Sequence, residues 1–531
     1  MTHSTVFFFF VSSPASSCST EKRKLSLTKI CLENRYFPIK GPIPGSARSS
    51  SSSTALKPSK VIKPCRKTGV RTLKLLQVRE IFGNVISSNK GKRNFKEEFR
   101  KTQVSHPKVW KYSGTEKIGD SALERIHVDV QTQEGQTKTD VLLTGGINGS
   151  LSISEIGKVQ PEFDYGVQCV PDCVWPTIEG NQTHYRRDPE RIWRDTRASL
   201  QMSSKISCMK VFRKNLPLPI EDGGGIQHAL ISTLGSMRYG GSLCLLNLVE
   251  PLDFDPTALF IRRRIQEVAT FDCTIWAADC GTNGNRAVIG TNLGAALVDV
   301  ETGMTSWVLR SKSDVLAQQL VHSGNVVLCG LRNGAIITVD AREKQEGSSA
   351  RLVRHRISNS PSDNTVGKSS KRWFKLSGNI NTSDTIKLPS SISCLVSLQF
   401  DDQYFLASSM DGSVKLYDHR LVQRGAIQSY EGHVNSHSRI QLGVDPLERF
   451  VMSGGEDCYL RLWSIKSGEL LFQDKFSDSI LSTVCWRREG PSVALLSGKN
   501  ETNSVSGYFD EESYGAGAWL GSHEGLFYLQ W

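Results

Sequence analysis

The sequence predicts an all-β fold, a β-propeller over residues 136–531, preceded by a basic, disordered arm over residues 1–115. Three observations carry this expectation. From about residue 136, short apolar runs alternate with Gly, Asn, Asp and Ser turns, the texture of short strands. Within that texture one frame recurs: two aliphatic residues, two small residues, a tight turn with Gly, then alternating apolar positions. Two spacings between successive copies, 40 and 46 residues, match a four-stranded blade unit of the WD40 kind.

The N-terminal region comes first. The chain has 531 residues and a net charge of +12, but the excess is local. Residues 1–95 hold 18 Lys and Arg against three acids, Glu21, Glu33 and Glu80, and the rest of the chain holds 47 against 50. Such a tail suits an acidic surface, nucleic acid or an import receptor as well as plain solvation. Ser49–Ser53 is a homopolymer run, and aliphatic residues are sparse up to about residue 115. Leu73, Leu76, Val78, Ile81 and Phe82 mark one short helix over Thr72–Phe82. The run Phe7–Phe10, followed by Ser-rich, acid-poor sequence, leaves a targeting segment open for residues 1–32. No apolar stretch reaches the roughly 18 residues of a membrane-spanning helix, so no membrane partner is expected.

The repeat frame follows in order. It reads Val141–Leu151, then weakly Ser236–Leu248, then Val288–Asp299, Val327–Asp340, Phe405–Arg420, Phe450–Trp463 and weakly Ala518–Trp531. Each copy predicts a strand, a tight turn needing positive φ, and a returning strand with period-two burial. The turn positions are Gly149, Gly240, Gly294, Gly334, Gly412, Cys458 and Gly525. At roughly 43 residues each, seven blades need about 300 residues. The surplus is assigned to loops near 161–197, polar with scattered Trp and Arg, and 343–391, rich in Ser, Asn, Lys and Arg.

The best-formed copy also carries a structural polar network. His433 follows Gly432, Ser453 lies on a strand, Asp457 in its turn and Trp463 on the next strand. The spacing suits an Asp–His–Ser–Trp hydrogen-bond chain through one blade and not a nucleophilic triad. No enzyme signature stands: GxxxxGK[ST], HExxH, GxSxG and the EF-hand loop are all absent from the sequence. Gly515–Gly521 only approaches a dinucleotide fingerprint, with its third Gly one residue late. The thirteen cysteines have irregular spacing and no CxxC; the closest pair, Cys169 and Cys173, has no second pair at zinc spacing. No metal, cofactor or catalytic residue is therefore expected.

With the repeat in place, Phe405-Leu406-Ala407-Ser408-Ser409-Met410-Asp411-Gly412-Ser413-Val414-Lys415-Leu416-Tyr417-Asp418-His419-Arg420 resembles the sixteen-residue box of a particular family. These are the WD40 substrate receptors of cullin-4 RING ubiquitin ligases. The box ends Trp/Tyr-Asp-x-Arg, and its Arg contacts the damaged-DNA-binding adaptor protein. The resemblance implies adaptor contact through Arg420, with Asp418, Tyr417 and Asp411 shaping the same surface. His419 stands where the pattern prefers an aliphatic residue. Val339-Asp340-Ala341-Arg342 looks like a degenerate second box, which implies a second contact at Arg342 with Asp340.

The stretch Ser393–Leu471 is similar to one group within the family, the damaged-DNA-binding-protein-one- and cullin-four-associated factor four group, in a plant form. Glu33–Gly45 resembles that group's N-terminal segment. What this implies is a non-catalytic subunit with two partners, the adaptor and a substrate protein the sequence does not name. It also implies a nuclear location, with the cytoplasm as a further one. The competing reading is a WD40 scaffold in a nuclear chromatin- or RNA-related complex, touching nucleic acid only through the basic tail. In that case Arg420 and Arg342 merely sit in local ion pairs.

Overall fold

The computed structural model describes residues 69–531 apart from 84, 89–90, 133–134, 158–166, 177–188, 215–225, 237–238, 254–257, 282–283, 322–323, 343–351, 354–373, 378–384 and 488–516. Before Gly69 it describes only two paired strands, Leu27–Ile30 and Arg35–Pro38. The Phe run, the Ser run and most of Glu33–Gly45 thus lie outside the described residues.

Seven sheets form the blades of a propeller, antiparallel throughout except where Leu252–Asp253 pairs parallel with the first strand of blade I. Each blade runs from an inner strand a to an outer strand d. Blades I to VI begin with inner strands Ala122–Thr132, Ile206–Lys214, Ile275–Cys280, Val315–Val321, Ile392–Ser397 and Gly443–Val444. Blade VII is made from both ends of this ring. Leu481–Trp486, Gly517–Ser522 and Gly525–Gln530 supply its first three strands, and Lys108–Tyr112, which precedes blade I, pairs as the fourth. The ring is thereby closed by backbone hydrogen bonds between distant parts of the chain. Trp531 reinforces the seam, donating from its indole to the Val104 carbonyl at 2.9 Å and stacking on Trp486.

All seven turn positions read from the sequence fall at the b–c connection of successive blades, Gly294 and Gly525 as the first residues of strand c, but Gly240 does not take the positive φ expected of it. The Gly149, Gly334 and Gly412 turns have φ near +80°, where an L side chain is strained. Cys458 takes the same role at φ +62°. The small residues of the frame have a separate cause. At Gly145, Gly290, Gly330 and Gly454, an added Cβ would meet the start of the next blade's inner strand: Ile206, Val315, Ile392 and Leu481. The inner strands converge there, and only a small residue lets two blades approach. Aliphatic residues of strands a to c fill the wedges between blades, as in the cluster Leu328, Ile336, Ile392, Leu395, Phe405 and Tyr417 between blades IV and V.

Several boundaries differ from the sequence reading. The propeller starts at Lys108 and not at 136, because its closing strand pairs with residues some four hundred positions away and has no local repeat around it. The region before it carries the expected short helix, over Gly69–Phe82, and a second one that was not expected, Phe95–Val104. The second is capped by Asn94, whose side chain accepts from the Lys96 amide, and it meets blade VI through Lys101 and Ser467. The 161–197 loop contains the start of a long strand, Arg191–Gln201. The 343–391 loop contains Phe374–Ser377, which pairs with the outer strand of blade III, and Ile386–Lys387, the outer strand of blade IV. Gly517–Ser522 is a strand, which removes the near-fingerprint as a helix-capping loop. No described helix is long and apolar enough to cross a membrane.

Candidate functional site

The candidate residues gather at the third strands of two adjacent blades. In blade V this strand is Val414–Asp418, and in blade IV it is Ala335–Asp340. Alternation buries Val414 and Leu416 and brings each strand to a terminal Asp where the chain turns onto the face that holds the a–b and c–d turns. Asp418 is buried, and its carboxylate accepts from the Arg420 backbone amide at 2.8 Å, from Nε at 3.2 Å and from Nη2 at 3.0 Å. The Arg420 side chain stays 59% exposed against 4% for Asp418. Blade IV repeats the arrangement: Asp340 accepts from the Arg342 amide at 2.9 Å, from Nε at 3.0 Å and from Nη2 at 2.6 Å. The guanidinium bonds hold both carboxyls below the usual carboxylate range. In each case a fixed anion orients a planar cation at the protein surface, the donor geometry that suits carboxylate or carbonyl acceptors on a partner.

Two residues assigned to this surface by the resemblance lie elsewhere. Tyr417 is buried between blades IV and V, its ring 5.5 Å from that of Phe405, and burial pushes its hydroxyl up to about 12. Period-two alternation sets Tyr417 on the side of the strand that faces blade IV, while Val414 and Leu416 face blade VI, so both sides are packed against a neighbouring blade. Asp411 belongs to the b–c turn, where it accepts from the Ser413 amide at 2.9 Å. The five-residue strand between them puts Asp411 and Arg420 about 15 Å apart or more, on opposite faces. His419 packs its ring 4.6 Å from Phe405, so it fills the apolar role of the residue it replaces.

The polar network of blade VI divides in two. His433 Nε2 lies 3.0 Å from the Gly454 carbonyl and 3.4 Å from Ser453 Oγ. Trp463 donates from its indole to the Glu431 carbonyl at 3.0 Å. Asp457 does not bond His433; it pairs with Arg461, Nη1 to Oδ1 at 2.9 Å and Nη2 to Oδ2 at 2.5 Å. Arg461 lies on the same strand as Trp463, and the sequence reading missed it. The signal was the four-residue spacing from Asp457, which places the two across a turn. Burial lowers the His433 imidazole below its ordinary value. For Asp457, burial opposes ionisation but the Arg461 bonds and charge prevail and lower its carboxyl. The group is a brace for the blade, with Ser453 and Trp463 fully enclosed.

Among the described residues no group of His, Cys, Asp and Glu could hold a metal ion. The ten described cysteines are all unpaired by disulfide. Burial raises Cys329 to about 12, the behaviour of a thiol packed as a small apolar group.

Comparison with known proteins bears on the same region. Residues 375–501 match the family described as the DDB1- and CUL4-associated factor 4 beta-propeller domain. That span contains blades V and VI, with Arg420 but not Arg342. Human DDB1- and CUL4-associated factor 4 is 30% identical over 198 residues, covering 37% of this chain and 32% of that protein. Human DDB1- and CUL4-associated factor 4-like protein 2 is 29% identical over 161 residues, covering 30% and 32%. An uncharacterized WD repeat-containing protein of Caenorhabditis elegans is 28% identical over 235 residues, covering 42% and 36%. The chain therefore spans about a third of the length of the curated relatives it matches. The family resemblance read from the box is borne out by these matches.

Proposed function

We propose that this chain is a non-catalytic substrate receptor of a cullin-4 RING ubiquitin ligase. It docks on the DDB1 adaptor through the c–d face of blades IV and V. Arg420, oriented by Asp418, is the main contact, and Arg342, oriented by Asp340, is the second. A substrate protein is held on another part of the propeller. The ligase's RING subunit brings the charged ubiquitin-conjugating enzyme, and the receptor acts by raising the substrate's local concentration. The basic N-terminal arm accords with a nuclear location, with the cytoplasm as a further site.

The observation that carries this is the repetition of one device. Two neighbouring blades end the same strand in Asp-x-Arg with matching backbone and guanidinium bonds, both with the Arg exposed. A local ion pair at an exposed site is worth about 1 kcal/mol or less, so stability alone gives little reason to build it twice. Arg is also enriched among residues that anchor interfaces.

The test is co-precipitation of purified adaptor with the wild-type chain, Arg420→Ala and Arg342→Ala/Arg420→Ala, each checked for folding by circular dichroism. Loss of adaptor by folded variants supports the receptor role. Absence of binding by the wild type, or binding indifferent to both substitutions, removes it and leaves a WD40 scaffold of a chromatin- or RNA-related complex. Salt sensitivity of that scaffold's binding would then point to the basic arm.

A further inference from the structure

The Arg420 device has an apolar neighbour on the same face. His419 donates its backbone amide to the Gln403 carbonyl at 2.9 Å, so the c–d turn of blade V lies against its own a–b turn. That a–b turn carries Phe400, a large apolar side chain 72% exposed. Leu421, next to Arg420, is also exposed, as is Leu447 in the a–b turn of blade VI. An isolated exposed Leu or Phe needs no explanation. These three lie on turns tied to one another by hydrogen bonds, on the face that carries Arg420.

The Phe400 turn is held by an unusual clamp. Glu448, in the a–b turn of blade VI, adopts φ +53°, a left-handed conformation that an L residue rarely takes. Its carboxylate accepts from three successive backbone amides of blade V: Gln399, Phe400 at 3.1 Å and Asp401 at 3.4 Å. Strain of this kind persists only where the surroundings enforce it. Here the clamp fixes the backbone at Phe400 itself, while leaving the ring in solvent.

We infer that Phe400 is the apolar anchor of the adaptor-docking surface, with Leu421 and Leu447 at its rim, and that Glu448 is the positioning residue that presents it beside Arg420. This rests on the proposed receptor function and adds the chemistry of the partner. The adaptor must offer an acceptor oxygen for the guanidinium next to an apolar pocket for a phenyl ring. Apolar groups around the ion pair would exclude water from it on docking, which strengthens the bond to Arg420.

The experiment is a titration of purified adaptor against the full chain, comparing wild type, Arg420→Ala, Phe400→Ala, Glu448→Gln and Phe400→Ala/Glu448→Gln. Tyr239→Ala serves as the control, being equally exposed but on the b–c turn of blade II, on the other face. Phe400→Ala is expected to weaken binding about tenfold or more with an unchanged melting temperature. Tyr239→Ala is expected to leave it unchanged. Glu448→Gln is expected to weaken binding less, and to add nothing once Phe400 is gone, because the clamp acts through that ring. A merely structural Glu448 would weaken binding equally with or without Phe400. If wild type binds and Arg420→Ala weakens it, but Phe400→Ala matches Tyr239→Ala, this inference is overturned and the receptor reading stands. If wild type does not bind, both fall together.

Discussion

Blade V and blade VI contain the same chemical pair in opposite settings. In blade V, Asp418 is buried and Arg420 is exposed; in blade VI, Arg461 is 3% exposed and Asp457 the more open partner. Both are two-point guanidinium–carboxylate contacts. What differs is which member the fold encloses. Where the cation is enclosed, its two terminal nitrogens bond Asp457 inside the blade and the pair braces the sheet beside Trp463. Where the anion is enclosed, the cation is aimed outward and stays available to a partner. Asp-to-Arg spacing in sequence distinguishes them: four residues across the b–c turn against two residues past the strand end.

The largest expected effect breaks the enclosed pair. Arg461→Ala leaves Asp457 without its cation and should cost about 3 kcal/mol of stability, read as a lower melting temperature by calorimetry. Arg420→Ala should change stability by no more than about 0.5 kcal/mol while costing about 2 kcal/mol, or roughly thirtyfold, in adaptor affinity. Acid pH sharpens the contrast. The folded value of His433 lies below its ordinary 6.5, so between the two values the unfolded chain binds more protons. Stability is then fully present above pH 6.5 and declines as pH falls below it. The Asp457 carboxyl, held below 3.8, adds a second loss below that pH. A melting-temperature series from pH 8 to 5 should fall for wild type and fall less for His433→Gln. The smallest effect belongs to Arg342→Ala, a few-fold weakening of adaptor binding with no thermal shift, since the Asp340–Arg342 pair is more open to solvent than the Asp418–Arg420 pair.

The repeat was legible because one residue type per blade is forced by geometry: Gly or its equivalent in the b–c turn, and a small residue where the next inner strand approaches. Asp418 and Arg420 were legible because a strand end and a two-residue spacing are local. Phe400 and Glu448 were not, because their relation spans two blades and depends on a positive φ at an ordinary residue, which no composition signal marks. Lys108–Tyr112 was hidden for the same reason, since its partner strand is Gly525–Gln530. Tyr417 and Asp411 misled because the resemblance treats a linear box as one surface. The pleat and the strand length send its members to the core, to one face and to the other.

The most direct test of this account is one paired measurement on the two variants Arg420→Ala and Arg461→Ala: adaptor dissociation constant and melting temperature for each, beside wild type. Arg420→Ala is expected to lose about thirtyfold in affinity at an unchanged melting temperature, and Arg461→Ala to melt lower while its folded fraction still binds. Unchanged affinity for Arg420→Ala, or a drop in its melting temperature as large as that of Arg461→Ala, would contradict it.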